Sequence, residues 1–275
     1  MKKKQITNID RKNIKRKRLK MINVLSIIIF FTAWQILGLV NAQREFFNPV
    51  YLPTPLKILE VGYQMASDGT LFSQIAISLN RIFFGIVIGS VIAFFVAVIF
   101  VRFPVIESAI MPIINFIGPV PVMALLPAII IWIGIGESSK LFIIAYSTFM
   151  SVLGYALDGM KNTDPTLIRS AMSLGASTSQ VFLMVIIKSA LPNIVTGIKT
   201  SLSASFSAMV VAEMMGSTEG LGFLIINAKA WFKMNNMFLA ITLIGLLYIF
   251  FHSIITLIER LLFKWKIANS SAIED

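Results

Sequence analysis

The stretch Asp164–Gly197, DPTLIRSAMSLGASTSQVFLMVIIKSALPNIVTG, lies between strongly apolar segments of membrane-spanning length. Its first half nevertheless carries the local signals of a helical hairpin in water. Asp164 offers the short acceptor side chain of an N-cap, and Pro165 suits the first helical position, where no backbone donor is needed. Leu167, Ile168, Ala171 and Leu174 recur at helical spacing on one face, opposite Thr166, Arg169, Ser170 and Ser173. Gly175 then supplies a residue able to take positive φ at the helix end. Ser177 with Gln180 forms an S-x-x-Q capping box for a second helix. Plain short loops suffice to join spans, so an amphipathic hairpin here points to contact with a soluble partner.

Composition sets the solvent around this stretch. The chain has 275 residues, 57% hydrophobic and 13% charged, whereas soluble proteins carry about 25% charged residues. Its mean hydropathy is +0.84. Most of the mass therefore belongs in a bilayer, in an all-α polytopic membrane protein. Six spans fit, each needing about 20 apolar residues, near 22–40, 77–101, 107–133, 140–158, 191–214 and 237–262. The first is read as a retained span, since its apolar run exceeds the h-region of a signal peptide. The resulting organisation is a basic tail over 1–21, a membrane domain over 22–266 with the hairpin at about 159–190, and a short tail over 267–275. A short amphipathic helix is expected from Pro55 to Ala66.

Net charge is +11, but its distribution argues against nucleic acid: ten Lys or Arg fall within residues 2–20, directly before the first span. Such a tail suits an anionic cytoplasmic leaflet. Six spans put both termini on one side, together with Arg102, Lys161, Arg169, Lys188, Arg260, Lys264 and Lys266. Arg44, Lys57, Lys140, Lys229 and Lys233 fall on the other. This asymmetry places both termini and the hairpin in the cytoplasm.

Within the spans, small residues Gly85, Gly89, Ala93 and Ala97 recur every four positions, with Arg81 on the same face. Close helix packing with a snorkelling Arg explains this pattern well. Pro112, Pro119, Pro121 and Pro127 require the third span to be kinked or broken, which lipid tolerates only where the freed backbone is buried in protein or lines a cavity. Thr196, Thr200, Ser203 and Ser207 can share one face of the fifth span, either lining a polar pathway or bonding to helix carbonyls. Glu213 is an intramembrane carboxylate, facing the bundle interior or paired with a loop cation. His252, the only histidine, reads as a packed helix residue. The pathway candidates are thus Pro119, Pro121, Pro127, Thr196, Thr200, Ser203, Ser207 and Glu213.

Absences narrow the function. The chain has no cysteine, hence no thiolate or disulfide chemistry. It has no phosphate-binding G-x-x-x-x-G-K-[ST] loop, no His-Glu metal motif and no G-x-S-x-G elbow. An enzyme is not expected, nor a cofactor or metal on this chain. A secondary transporter would show inverted repeats and several coupling charges.

Several of these motifs resemble those of binding-protein-dependent ABC-importer permeases, in the nitrate, sulfonate and taurine branch. Ser173-Leu174-Gly175-Ala176-Ser177 followed by Ala190-Leu191-Pro192 looks like the family's cytoplasmic coupling loop, with Arg169-Ser170-Ala171 where the family has Glu-Ala-Ala. Ser78-Leu79-Asn80-Arg81 with Gly85, the Pro119 to Pro127 run, Trp132 to Lys140 as W-x-G-x-G-E-x-x-K, and Ala212-Glu213-Met214 with Gly216 to Gly222 follow in family order. The resemblance implies a type I importer membrane domain in the cell's inner membrane. It implies an ATPase subunit docked on Leu167, Ile168, Arg169, Ala171, Leu174, Gly175, Ala176 and Ser177, with ATP and Mg bound by that subunit. It also implies an external solute-binding protein and a second permease copy, giving a homodimer. The solute it implies is a small anion such as nitrate, a sulfonate or taurine, or alternatively a vitamin precursor such as a pyrimidine.

Overall fold

The computed structural model describes residues 8–263. The basic residues before Asn8, the tail over 267–275, and Lys264 and Lys266 lie outside the described residues. Among the described residues all regular structure is helical, and they divide into two compact units.

One unit holds α1 (Asn8–Arg44), α2 (Pro55–Ser67) and the segment Ala228–Leu239. Helix α1 has 37 residues, about 55 Å, against a hydrocarbon thickness of about 30 Å. Its apolar part is Met21–Arg44, so the helix passes the expected tail boundary at residue 21 without a break. In the last turn of α1, Asn41 is buried and ties down the turn that follows, its amide donating to the Phe47 carbonyl at 3.1 Å. Helix α2 starts as the sequence expects. Thr54 caps it by accepting from the Lys57 N–H, and Pro55 takes the first helical position. Trp34 donates to the Pro53 carbonyl at 3.1 Å and packs on Phe238.

The other unit runs over Gly69–Asn227 and resumes at Ala240. Its core is built by α3 (Thr70–Arg102), α6 (Glu137–Lys161) and α9 (Ile187–Gly216). The small-residue row of α3 is wholly buried and makes this packing possible. A side chain at Gly89 would collide with the backbone carbonyl of Ala145 and come within 2.8 Å of Thr148. Ala93 and Ala97 continue the seam against Val152, Leu153 and Ala156. Close backbone approach, rather than water exclusion, holds helices together in lipid. Thr148 and Ser205 add a buried hydroxyl pair at 2.8 Å between α6 and α9.

The third expected span is broken. Helices α4 (Pro104–Ile117) and α5 (Val122–Ile133) meet at 107°. The break falls at Gly118–Pro121, where two prolines remove backbone donors within three residues. Pro112 and Pro127 are accommodated inside their helices. Leu126 and Ile129 of α5 pack on Ile143, Ala208 and Ala212. Counting the bent pair as one, up to six segments among the described residues are long and apolar enough to cross a membrane.

In one place the helix and the expected span differ in extent. The fifth span was expected to begin near 191, after a hairpin ending near 190. Instead α8 (Thr178–Val181), a π-helical turn at Phe182–Ile186 and α9 run together from Thr178 to Gly216, 39 residues. This run is about 58 Å long, so part of it stands outside a hydrocarbon layer about 30 Å thick. Helices α10 (Leu221–Ala230) and α11 (Met234–Leu262) complete the chain.

Candidate functional site

Two features stand out from the packed core: the hairpin between α6 and α9, and a cluster of charges inside the bundle.

The hairpin is assembled from local chemistry. Asp164 accepts from the Thr166 N–H at 2.8 Å and opens α7 (Pro165–Ser173). The helix ends with Gly175 at φ +86°, where its N–H donates to the Met172 carbonyl at 2.9 Å and the Ala176 N–H to the Ala171 carbonyl at 3.1 Å. This two-bond pattern is a Schellman motif. Both bonds of the capping box are made: the Ser177 N–H donates to the Gln180 amide oxygen at 2.8 Å, and the Gln180 N–H to the Ser177 hydroxyl at 3.3 Å. No residue of α7 is buried. Leu174 is 89% exposed and Leu167 51%. Ile168, Ala171 and Ala176 are half-buried, and Arg169, Gly175 and Ser177 are exposed. The rigid turn therefore presents bare apolar surface at Leu167 and Leu174.

The pathway candidates do not form one group. Pro119, Pro121 and Pro127 are exposed around and beyond the α4–α5 break. Thr200, Ser203 and Ser207 form an exposed row on α9, with Thr196 half-buried. Three of these hydroxyls donate to their own helix: Thr196 to Pro192, Thr200 to Thr196 and Ser207 to Ser203, each at 2.9 Å. This lets polar side chains face outward without leaving a donor unsatisfied.

Glu213 sits apart from that row. It is fully buried and belongs to a network joining α3, α6, the end of α9 and the following turn. Its carboxylate accepts from Arg81 Nη1 at 2.9 Å, from the Ser78 hydroxyl at 2.8 Å and from the Gly222 N–H at 2.8 Å. Arg81 turns its other two nitrogens to Glu137, Nη2 donating to Oε1 at 2.7 Å and Nε to Oε2 at 2.8 Å. Lys140 donates to Glu137 at 2.9 Å and to Ser217 at 3.2 Å. The turn itself is pinned: the Glu219 carbonyl accepts from Arg81 at 2.8 Å, the Leu221 N–H donates to Ser78 at 2.9 Å and the Gly220 N–H to Gln74 at 2.5 Å. Two cations and two carboxylates make the cluster neutral, as burial in a membrane bundle demands.

Sequence reasoning singled out Glu213 and Arg81 separately and did not pair them. Glu137 entered only as a letter of a motif, and Lys140 as that and as one of the outer-side charges. The usable signal was charge parity: lone intramembrane charges of opposite sign, each near the same end of its span, pair with one another. His252 stacks on Tyr248 with ring centroids 6.1 Å apart, a packing role.

These features define a polytopic helical membrane protein that carries a capped, exposed hairpin between two of its spans. The chain belongs to the binding-protein-dependent transport system inner membrane component family, which it matches over residues 85–266. It is a transport permease subunit of the ABC importer class. It is 32% identical over 249 residues to the taurine transport system permease protein TauC of Escherichia coli (strain K12), with 89% of each chain covered. It is 30% identical over 246 residues to the "Putative aliphatic sulfonates transport permease protein SsuC" of Bacillus subtilis (strain 168), covering 90% of this chain and 88% of that one. Its fold is shared with the crystal structure of an amino acid ABC transporter with histidines, at TM-score 0.61 and 18% identity, covering 73% of this chain and 97% of that one.

Proposed function

We propose that two copies of this chain form the translocation pathway for a small sulfonate-like anion, delivered by an external solute-binding protein. A separate ATPase subunit, which binds ATP and Mg, docks on the hairpin through Leu167, Ile168, Arg169, Ala171, Leu174, Gly175, Ala176 and Ser177. The observation that carries this reading is the hairpin: a turn stiffened by three caps, with its large apolar side chains left uncovered. Association with a soluble groove gives those side chains the burial they lack in this chain. The solute class rests on similarity to permeases named for taurine and aliphatic sulfonates. The exposed hydroxyl row of α9, with Pro119, Pro121 and Pro127 at the bent α4–α5 pair, is the pathway wall; Glu213 holds the wall in place from behind. Vesicles holding the permease, its ATPase subunit and its binding protein should accumulate labelled taurine or an alkylsulfonate only with ATP. Accumulation of a pyrimidine instead moves the solute assignment, and accumulation without the ATPase removes the importer mechanism.

Both termini and the hairpin lie in the cytoplasm in this reading. The natural lack of cysteine makes the arrangement measurable. A cysteine at Ser173 should be shielded from an impermeant thiol reagent in intact cells, and one at Asn48 should label. Ser217 serves less well as an outer probe, since its hydroxyl is engaged by Lys140 and Glu219; exposed Thr218 is the better position. Labelling of Ser173→Cys from outside inverts the topology.

A further inference from the structure

The two carboxylates of the charge cluster are held in opposite ways. Glu213 is fully buried and receives a backbone N–H and a hydroxyl as well as Arg81. Glu137 has a side chain 59% exposed, and among the described residues its carboxylate accepts only from the two cations. Arg81 and Lys140 are themselves buried, at 6% exposure each. One edge of the guanidinium is thus committed to Glu213 and the Glu219 carbonyl. The other edge, with the ammonium beside it, converges on a carboxylate that is open to solvent.

That convergence has the chemistry of a receptor. A planar fork of two N–H donors matches two oxygens of a carboxylate, sulfonate or similar head group. Lys140 Nζ and the Ser217 hydroxyl, 3.2 Å apart, flank the same point. Charge decides how many anions fit: Arg81 and Lys140 against Glu213 leave one positive charge when the Glu137 carboxylate is elsewhere. Glu137 is the first residue of α6 and follows Gly136, so rotation of one exposed side chain vacates the position without moving the core.

We propose that Arg81 and Lys140 form a binding site for one monoanionic head group, closed in this conformation by Glu137, and that the anionic group of the transported solute takes the place of the Glu137 carboxylate. The solute assignment rests on the sulfonate-like reading above; the site itself does not. A tethered carboxylate competes with free anion, so the apparent affinity of the wild type is reduced by the fraction of time the position is vacant. Removing the tether should tighten binding about ten- to a hundredfold.

The test uses the full-length permease in nanodiscs, with methanesulfonate as probe and methanesulfonamide as its neutral counterpart. Glu137→Ala and Glu137→Gln should bind methanesulfonate at least about tenfold more tightly than wild type, with no response to the sulfonamide. Adding Lys140→Gln to either variant should abolish the gain. If Glu137→Ala assembles poorly because two buried cations are left exposed to each other, recovery of its melting temperature by methanesulfonate alone is the same positive result. Failure of both Glu137 variants to respond to methanesulfonate overturns the site. Binding that is present while the complete importer takes up no sulfonate removes the solute assignment and leaves the site. Sulfonate uptake with no binding at either variant removes the site and leaves the importer reading intact.

Discussion

Glu213→Ala is expected to lower the melting temperature of the permease by about 10 °C and to reduce the yield of assembled protein. Sequence alone suggests a milder result, lost uptake with assembly intact, because there Glu213 is a candidate pathway group. Its buried position changes the expectation. The substitution leaves Arg81 with Glu137 as its one charged partner, strands the Gly222 N–H and Ser78, and opens a void at the junction of α3 and α9. Removing one member of a buried pair costs about 3–5 kcal/mol, and each kcal/mol shifts melting by about 2–4 °C in chains of 150–250 residues. Glu213→Gln keeps an acceptor for Gly222 and Ser78 and should fall between the two. A double-mutant cycle of Glu213→Gln with Arg81→Met, read by thermal melting, isolates the pair; a coupling energy within about 0.5 kcal/mol of zero is additive behaviour and would show that the contact is incidental. Wild-type melting in Glu213→Ala sinks the structural role.

What the sequence made legible, and what it did not, follows from how far the information is spread. The caps of the hairpin were readable because Asp164, Gly175, Ser177 and Gln180 each act within a few residues of themselves, and the bonds they make are local. That the third span is kinked or broken was readable from its four prolines; that the break falls at Pro119 and Pro121 rather than at Pro112 or Pro127 was not. Nor was its 107° angle, since that is set by what α5 packs against. The long helix after Ser177 was missed for a different reason. Pro192 lacks an N–H and so frees the Lys188 carbonyl, yet the helix continues through it, as helices packed inside a bundle can. The α7 apolar face was drawn too wide: the helix ends at Ser173, so Leu174 leaves the half-buried side of Ile168 and Ala171 for solvent. Least legible was the Arg81–Glu213 pair, 132 residues apart in the chain. Helical periodicity gives the face each residue occupies, but not which face of another helix it meets.

Gly175→Asp is expected to leave the spans inserted, to weaken retention of the ATPase subunit and to uncouple ATP hydrolysis from uptake. The structure sharpens the cause. Gly175 has φ +86°, and among the described residues no atom beyond its chain neighbours lies within 4 Å of an added Cβ. A substitution there meets no internal clash, so its effect divides into backbone strain and whatever the partner presents. Strain at positive φ costs roughly 1–2 kcal/mol for ordinary L-residues, with Asn and Asp visiting the region more readily. A polar group buried at a contact without a partner costs about 1–3 kcal/mol, about 5- to 150-fold in affinity. Three variants separate these terms. Gly175→Asn should retain most of the ATPase subunit, Gly175→Asp should lose it through charge at the interface, and Gly175→Val should lose it through strain that loosens the Schellman end. Leu174→Ser, which removes the most exposed of the large apolar side chains in the hairpin while leaving φ of Gly175 alone, should weaken retention without affecting the turn. If Gly175→Asp and Leu174→Ser both pull down the ATPase subunit and drive uptake at wild-type level, the hairpin is a solvated connector. Its exposed leucines then have no partner, and the coupling role loses its physical basis.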